Sequence, residues 1–186
     1  FSEYQELRNY GLEIGLPVFA SAISHDVVDF LKSDGVIKIA SGDIDFIPLL
    51  NAVAECTSKI ILSIGASTIE EVDTAINVIR KGMGSKLTEN LALLVCTSQY
   101  PCPIDDANIA RINTLKKYGC AVGYSNHVVD EEASLVAAAL GACIFEIHFT
   151  DTTQGKTFHD HLLSFDVEQS QRLFSKIKKI RKALGN

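Results

Sequence analysis

The segment Cys143-Ile144-Phe145-Glu146-Ile147-His148-Phe149 carries the sharpest chemical signal in the chain. Side chains alternate along an extended strand, so Ile144, Glu146 and His148 share one face and Cys143, Phe145, Ile147 and Phe149 the other. The second face is apolar enough to pack against helices. The first directs two ionisable groups into a protein interior, where desolvation is costly unless they find partners. His127 is a candidate partner, because in Gly123-Tyr124-Ser125-Asn126-His127 it lies just past the preceding strand. Neighbouring strands run about 4.8 Å apart, so two imidazoles from adjacent strand ends could share one divalent metal ion. Four of the five histidines (His127, His148, His159 and His161) fall within 35 residues, and Asp160 lies between the last two. Asp160, a neighbouring histidine or water could complete the ligand set.

Lys38 is the second candidate. In Val36-Ile37-Lys38-Ile39-Ala40-Ser41 it sits mid-strand between apolar neighbours and is expected to be buried. A buried lysine needs an anion, or else a depressed pKa suited to Schiff-base chemistry. A structural carboxylate could serve as that anion as well as a ligand could. The strand ends form a third pattern: five of six carry a serine (Ser21, Ser41, Ser63, Ser98 and Ser125) and the sixth is His148. A ring of hydroxyls beside helix N-termini and Lys38 suits a phosphate or carboxylate, and Ser63-Ile64-Gly65-Ala66-Ser67 lets backbone approach an anion just before a helix. The same serines could instead cap the helices that follow them.

The elements that position these residues alternate along the chain. Short apolar runs at Leu16–Ala22, Val36–Ser41, Lys59–Gly65, Leu91–Ser98, Cys120–Ser125 and Cys143–Phe149 read as strands. Amphipathic stretches at about Glu3–Glu13, Asp26–Ser33, Phe46–Cys56, Ile69–Lys81, Asp105–Tyr118, Asp130–Leu140 and Val167–Leu184 read as helices. Ser67-x-x-Glu70 and Thr68-x-x-Glu71 both fit a capping box, and Pro48 suits a first helical turn. Alternating strands and helices predict an α/β fold with a parallel sheet. Strand ends spaced by 20, 22, 35, 27 and 23 residues favour a (β/α)8 barrel over a doubly wound sheet. Such a barrel needs eight strands and about 250 residues. The expected reading is therefore a single, incomplete TIM-barrel domain over residues 1–186, with six of eight strands and the N-terminal two missing.

Composition narrows the classes further. The chain has 186 residues, 47% of them hydrophobic, and 17 basic against 23 acidic residues give a net charge of −6. General electrostatic capture of nucleic acid is not expected from that balance. Lys176, Lys178, Lys179, Arg181 and Lys182 do cluster, but in the last turns of a helix, where positive charge suits the dipole. The longest uncharged apolar stretch, Ala133–Phe145, is 13 residues, too short for the roughly 20 that span a bilayer. No secretory signal is expected, and Cys56, Cys96, Cys102, Cys120 and Cys143 form no CxxC, which reads as reduced thiols in a cytoplasmic protein.

Five motifs come in one order: Lys38-Ile39-Ala40-Ser41, Ile61-Leu62-Ser63-Ile64-Gly65, Cys96-Thr97-Ser98-Gln99-Tyr100-Pro101-Cys102-Pro103, Gly123-Tyr124-Ser125-Asn126-His127 and Glu146-Ile147-His148-Phe149-Thr150. In this order and spacing the chain resembles the N-acetylneuraminate (sialic acid) synthase family, with its spore-coat and other nonulosonate relatives. The resemblance implies a TIM-barrel transferase that condenses phosphoenolpyruvate with an N-acetylhexosamine-type aldehyde and releases phosphate. It implies His127 and His148 as ligands of a divalent metal, Mn2+ with Mg2+ or Co2+ as alternatives. It further implies Ser21, Lys38, Ser41, Ser63, Ser98, Tyr100 and Ser125 as substrate-binding residues, and Lys38, Glu146 and Asp160 as catalytic ones. Small-molecule substrates, no nucleic acid, no membrane and a homodimer are the expected partners, the last because unpaired edge strands favour association.

The chain departs from the family at several positions. The family usually has Thr at Ile64, His at Val95, Asp at Asn126 and Lys at Ile147, and its Ser-Thr-Pro-Phe run is here Ala20-Ser21-Ala22-Ile23. Ile147 is expected to face outward, so its lysine matters least. The family's first two strands, which carry an acidic group and a lysine, and its C-terminal antifreeze-like domain with a sugar-binding arginine have no counterpart in the sequence. Two other functions stand beside this one: a Schiff-base aldolase using Lys38, and a diverged domain that binds or assembles without catalysis. A (β/α)8 metallohydrolase fits less well, since its histidine pair sits on a first strand that the sequence does not show.

Overall fold

A computed structural model describes residues 1–56, 59–152 and 154–185. The chain divides into two compact units: residues 1–62 with 67–91, and residues 63–66 with 92–186.

The first unit holds helices α1 (Ser2–Glu13) and α2 (Val28–Leu31), strand β1 (Val36–Ile39), helix α3 (Ile47–Ala54), strand β2 (Lys59–Ser63, its last residue in the second unit) and helices α4 (Ile69–Met83) and α5 (Leu87–Asn90). β1 and β2 pair in parallel, from Val36 opposite Lys59 to Ile39 opposite Leu62. α4 buries Val72, Ala75, Ile76 and Ile79, the spacing of one helical face. Of the two capping boxes in the sequence the fold uses Thr68 and Glu71: Glu71 N donates to Thr68 Oγ1 at 3.3 Å and Thr68 N to Glu71 Oε2 at 2.7 Å. α4 closes on α3 at Gly82, where a Cβ would lie 2.7 Å from that of Ala54. Leu16–Ala22 is not a full strand. It makes a single parallel bridge, Ser21 to Lys38, with Ala22 N donating to Lys38 O and Lys38 N to Ala20 O. The six expected strands are thus five strands and one bridge among the described residues.

The second unit holds β3 (Leu91–Val95, its first residue in the first unit), α6 (Arg111–Leu115), β4 (Ala121–Ser125), α7 (Glu132–Ala139), β5 (Ile144–Glu146), α8 (Asp160–Leu163) and α9 (Val167–Ala183). β4 pairs in parallel with β3 and with β5, the latter with Gly123 opposite Ile144 and Ser125 opposite Glu146. Every residue of β3 is buried, as an apolar strand covered on both faces should be. The helix expected over Asp105–Tyr118 is broken into a 3-10 turn at Ile104–Asp106, the short α6 and a second 3-10 turn at Lys116–Tyr118. Behind β5, Ala138, Phe165, Leu173 and Ile177 form an apolar cluster against which Phe145 and Ile147 pack. Ile147 therefore faces outward as the alternation requires, and Ile144, Glu146 and His148 take the opposite face. Of the other outward residues, Cys143 and Phe149 are exposed.

Among the described residues no helix is long and apolar enough to cross a membrane. All five cysteines are free thiols, with Cys96, Cys102 and Cys120 buried.

Candidate functional site

The parallel register of β4 and β5 builds the site. Ser125 stands opposite Glu146, so two residues further on, on the same faces, His127 and His148 come level. Asn126 N extends the ladder by donating to Glu146 O at 2.9 Å. The two imidazoles meet with ring centroids 5.5 Å apart and planes inclined at 69°.

His127 is buried and held from three sides. Its Nδ1 lies 2.6 Å from Thr97 O; a carbonyl only accepts, so Nδ1 carries the hydrogen and Nε2 the lone pair. That Nε2 lies 3.4 Å from Ser125 Oγ. Cys102 N donates to His127 O at 2.7 Å, and the Tyr100 ring stacks over the imidazole at 4.2 Å with a 33° tilt. Residues 97–102 thus wrap this histidine and fix its tautomer, the arrangement that orients metal-binding imidazoles. His148 differs: its Nδ1 is buried and has no hydrogen-bond partner among the described residues. Its ring also meets Tyr100 edge-on at 5.6 Å. One tautomer-locked imidazole beside another with an orphaned buried nitrogen fits a divalent first-row ion. Among the described residues no group of three or more His, Cys, Asp and Glu side chains is placed to hold a metal, so water or substrate would complete the shell.

The carboxylates lie around Tyr100. Burial pushes its phenol up, with the Cys96, Glu146 and Asp160 charges adding in that order. Asp160 opens α8 and pairs with His159 Nε2 at 3.1 Å, and the His159 ring approaches Tyr100 edge-on at 6.2 Å. Three imidazoles thus surround one phenol.

The serines divide. In the second unit Ser63 and Ser125 are buried, and among the described residues Ser63 Oγ has no hydrogen-bond partner, a hydroxyl able to serve an anion. Ser98 is exposed. Ile64 N, by contrast, donates to Leu94 O, so that N–H of the Ser63–Ser67 turn is spent on the strand ladder. In the first unit Lys38 is 7% exposed, as its apolar neighbours predict, with Ser21 bridged to it and Ser41 opening a 3-10 turn three residues on.

Asn126 explains one departure from the family pattern. It is 1% exposed, and its Nδ2 donates to Val128 O at 2.7 Å, clasping the His127 turn. A carboxylate cannot make that bond. Asn126→Asp is therefore expected to cost about 1–3 kcal/mol of stability at neutral pH, read from urea unfolding.

Two contacts and one element lay beyond sequence reasoning: the Thr97 carbonyl on His127, the short helix α8, and the Phe165 N–H that donates to His148 O at 2.8 Å. The Cys96–Pro103 motif could have pointed to the first. The third joins residues 17 apart with no local pattern.

A model of the NeuB family matches residues 1–186. The N,N'-diacetyllegionaminic acid synthase of Campylobacter jejuni is 34% identical over 186 residues, covering 98% of this chain and 55% of that protein. The N-acetylneuraminate-9-phosphate synthase of Mus musculus is 30% identical, covering 99% of this chain and 51% of that protein. Among solved structures, the N-acetylneuraminic acid (sialic acid) synthetase of Leptospira borgpetersenii is similar with a TM-score of 0.92 and 33% identity, over 100% of this chain and 64% of that one. The chain spans about half the length of the curated relatives it matches.

Proposed function

The chain belongs to the NeuB family, and on that premise we propose that it carries the metal and phosphoenolpyruvate part of a nonulosonate synthase. The reaction is a transfer in which C3 of phosphoenolpyruvate bonds to the aldehyde carbon of an N-acetylhexosamine-type sugar. The aldehyde oxygen takes up a proton, water adds at C2, and the C2–O bond breaks to release phosphate. The observation that carries this reading is the His127–His148 pair on adjacent strand ends, with the His127 tautomer fixed by Thr97 O.

His127 and His148 would hold the divalent ion, manganese by preference and magnesium or cobalt otherwise. When bound, the ion supplies polarisation of the sugar carbonyl. The chain's own groups do the rest. Buried Ser63 and Ser125 offer hydroxyls to the carboxylate or phosphate of phosphoenolpyruvate, and Ser98 a third at the rim. In the first unit Lys38, bridged to Ser21 and three residues before Ser41, offers a cation of the kind that binds a carboxylate or phosphate. Tyr100, its phenol pushed further up by burial, orients the sugar as a hydrogen-bond donor. Glu146 and Asp160 are the groups to accept or return a proton, Asp160 with His159 behind it. The five strands and the Ser21 bridge are then read as belonging to the (β/α)8 barrel type of fold. The free thiols accord with a cytoplasmic protein, and a homodimer is the proposed assembly.

Phosphate release tests the reading. The chain, phosphoenolpyruvate and Mn2+ should release phosphate only when an N-acetylhexosamine is added, and chelation should stop it. Borohydride with pyruvate should trap no adduct on Lys38. An adduct there would favour a Schiff-base aldolase instead.

A further inference from the structure

β5 ends at Glu146, yet His148 lies two residues further on and is held by main-chain bonds to a different element. Phe165 N donates to His148 O at 2.8 Å and Thr150 N to Phe165 O at 3.1 Å, a parallel bridge between Phe149 and Phe165. Phe165 is itself anchored in the apolar cluster with Ala138, Leu173 and Ile177. The chain between leaves and returns at one point, and near its end it carries α8 with Asp160. Ser164 Oγ donates to Asp160 O at 2.7 Å, closing that helix.

A side-chain bond joins the two ends of this excursion. His161 Nδ1 lies 3.1 Å from Thr150 Oγ1. Thr150 is 4% exposed, and its hydroxyl hydrogen goes to Thr152 O at 2.9 Å or Asp151 Oδ1 at 3.3 Å. The oxygen therefore accepts from His161 Nδ1–H. The bond ties the helix that bears Asp160 to the segment that carries His148 beyond β5.

We infer that His161 is a positioning residue: its bond to Thr150 fixes Asp160 and His148 in one frame, so that the ion site is set before ligand arrives. This rests on the two-histidine metal reading proposed above. His161 contacts no reacting group, and its effect passes through Thr150.

Manganese binding by the full chain, followed by titration calorimetry, tests the inference with no appeal to activity. His161→Ala and Thr150→Val are each expected to raise the Mn2+ dissociation constant about tenfold, within the 10–100-fold range of outer-shell ligand partners. His161→Asn, which keeps an N–H where Nδ1 stood, should stay within about threefold of the parent. The double variant should be no weaker than either single one, because both remove the same bond. Equal weakening by Asn and Ala, unaltered affinity in His161→Ala, or multiplying effects in the double variant would overturn the inference. Amide exchange separates this failure from that of the metal reading. If the parent binds no Mn2+, or His127→Ala binds it equally well, the metal reading fails. The latch then stands if His161→Ala speeds exchange of the Thr150 amide tenfold or more, and falls if the rate is unaltered.

Discussion

His127→Ala is expected to abolish saturable Mn2+ binding and to lower sugar-dependent phosphate release by about a hundredfold or more. The size follows from the several kcal/mol of charge stabilisation a bound divalent ion supplies, since about 1.4 kcal/mol is a factor of ten. The variant removes the imidazole whose Nδ1–H meets Thr97 O and whose ring stacks beneath Tyr100. The groups it leaves behind are a carbonyl, the Ser125 hydroxyl and a ring face, none of them a charge, so the fold should survive. Calorimetric titration with Mn2+ and a coupled phosphate assay on the same preparation check the two halves together. Retained Mn2+ affinity would remove His127 from the ion site.

Gly123→Ala should produce the largest loss of stability. A Cβ there would sit 2.5 Å from Ile144 O, 2.5 Å from Leu94 Cδ2 and 2.9 Å from Ile144 Cβ. The leucine methyl can turn away, but the Ile144 carbonyl belongs to the strand paired with Gly123 and cannot yield without parting β4 from β5. The expected cost is about 3 kcal/mol or more, at the upper end of overpacking penalties. Because the same pairing brings His127 level with His148, Mn2+ affinity should fall with stability. Gly42→Ala is the matched control. It has nothing within 4 Å of its Cβ position, and its unfolding midpoint in urea should scarcely move. A midpoint for Gly123→Ala close to that of the parent would contradict the close strand approach.

The placement of the candidate site residues was more legible in the sequence than the elements that hold them. Period-two alternation placed Glu146 and His148 on one face and Ile147 on the other, because a strand with one apolar side leaves little choice of register. The burial of Lys38 followed from its apolar neighbours in the same way. The Leu16–Ala22 run misled, since apolar content alone does not distinguish a ladder from the single Ser21–Lys38 bridge that forms. The Asp105–Tyr118 helix was overdrawn because its charged and apolar residues fit a helical face that the chain breaks into separate turns. Phe165 had no local mark, for its task is set by a partner on the far side of α8. Likewise a main-chain carbonyl such as Thr97 O leaves no trace in residue type, although it decides which nitrogen of His127 can bind an ion.

The most direct measurement of the central claim uses phosphoenolpyruvate labelled with oxygen-18 at the bridging position between C2 and phosphorus. It is incubated with the chain, Mn2+ and an N-acetylhexosamine. The account predicts phosphate that retains the label, formed one for one with a nonulosonate product and absent when the sugar, Mn2+ or His127 is removed. Unlabelled phosphate, release that ignores the sugar, or no release from protein that binds Mn2+ at His127 would contradict it.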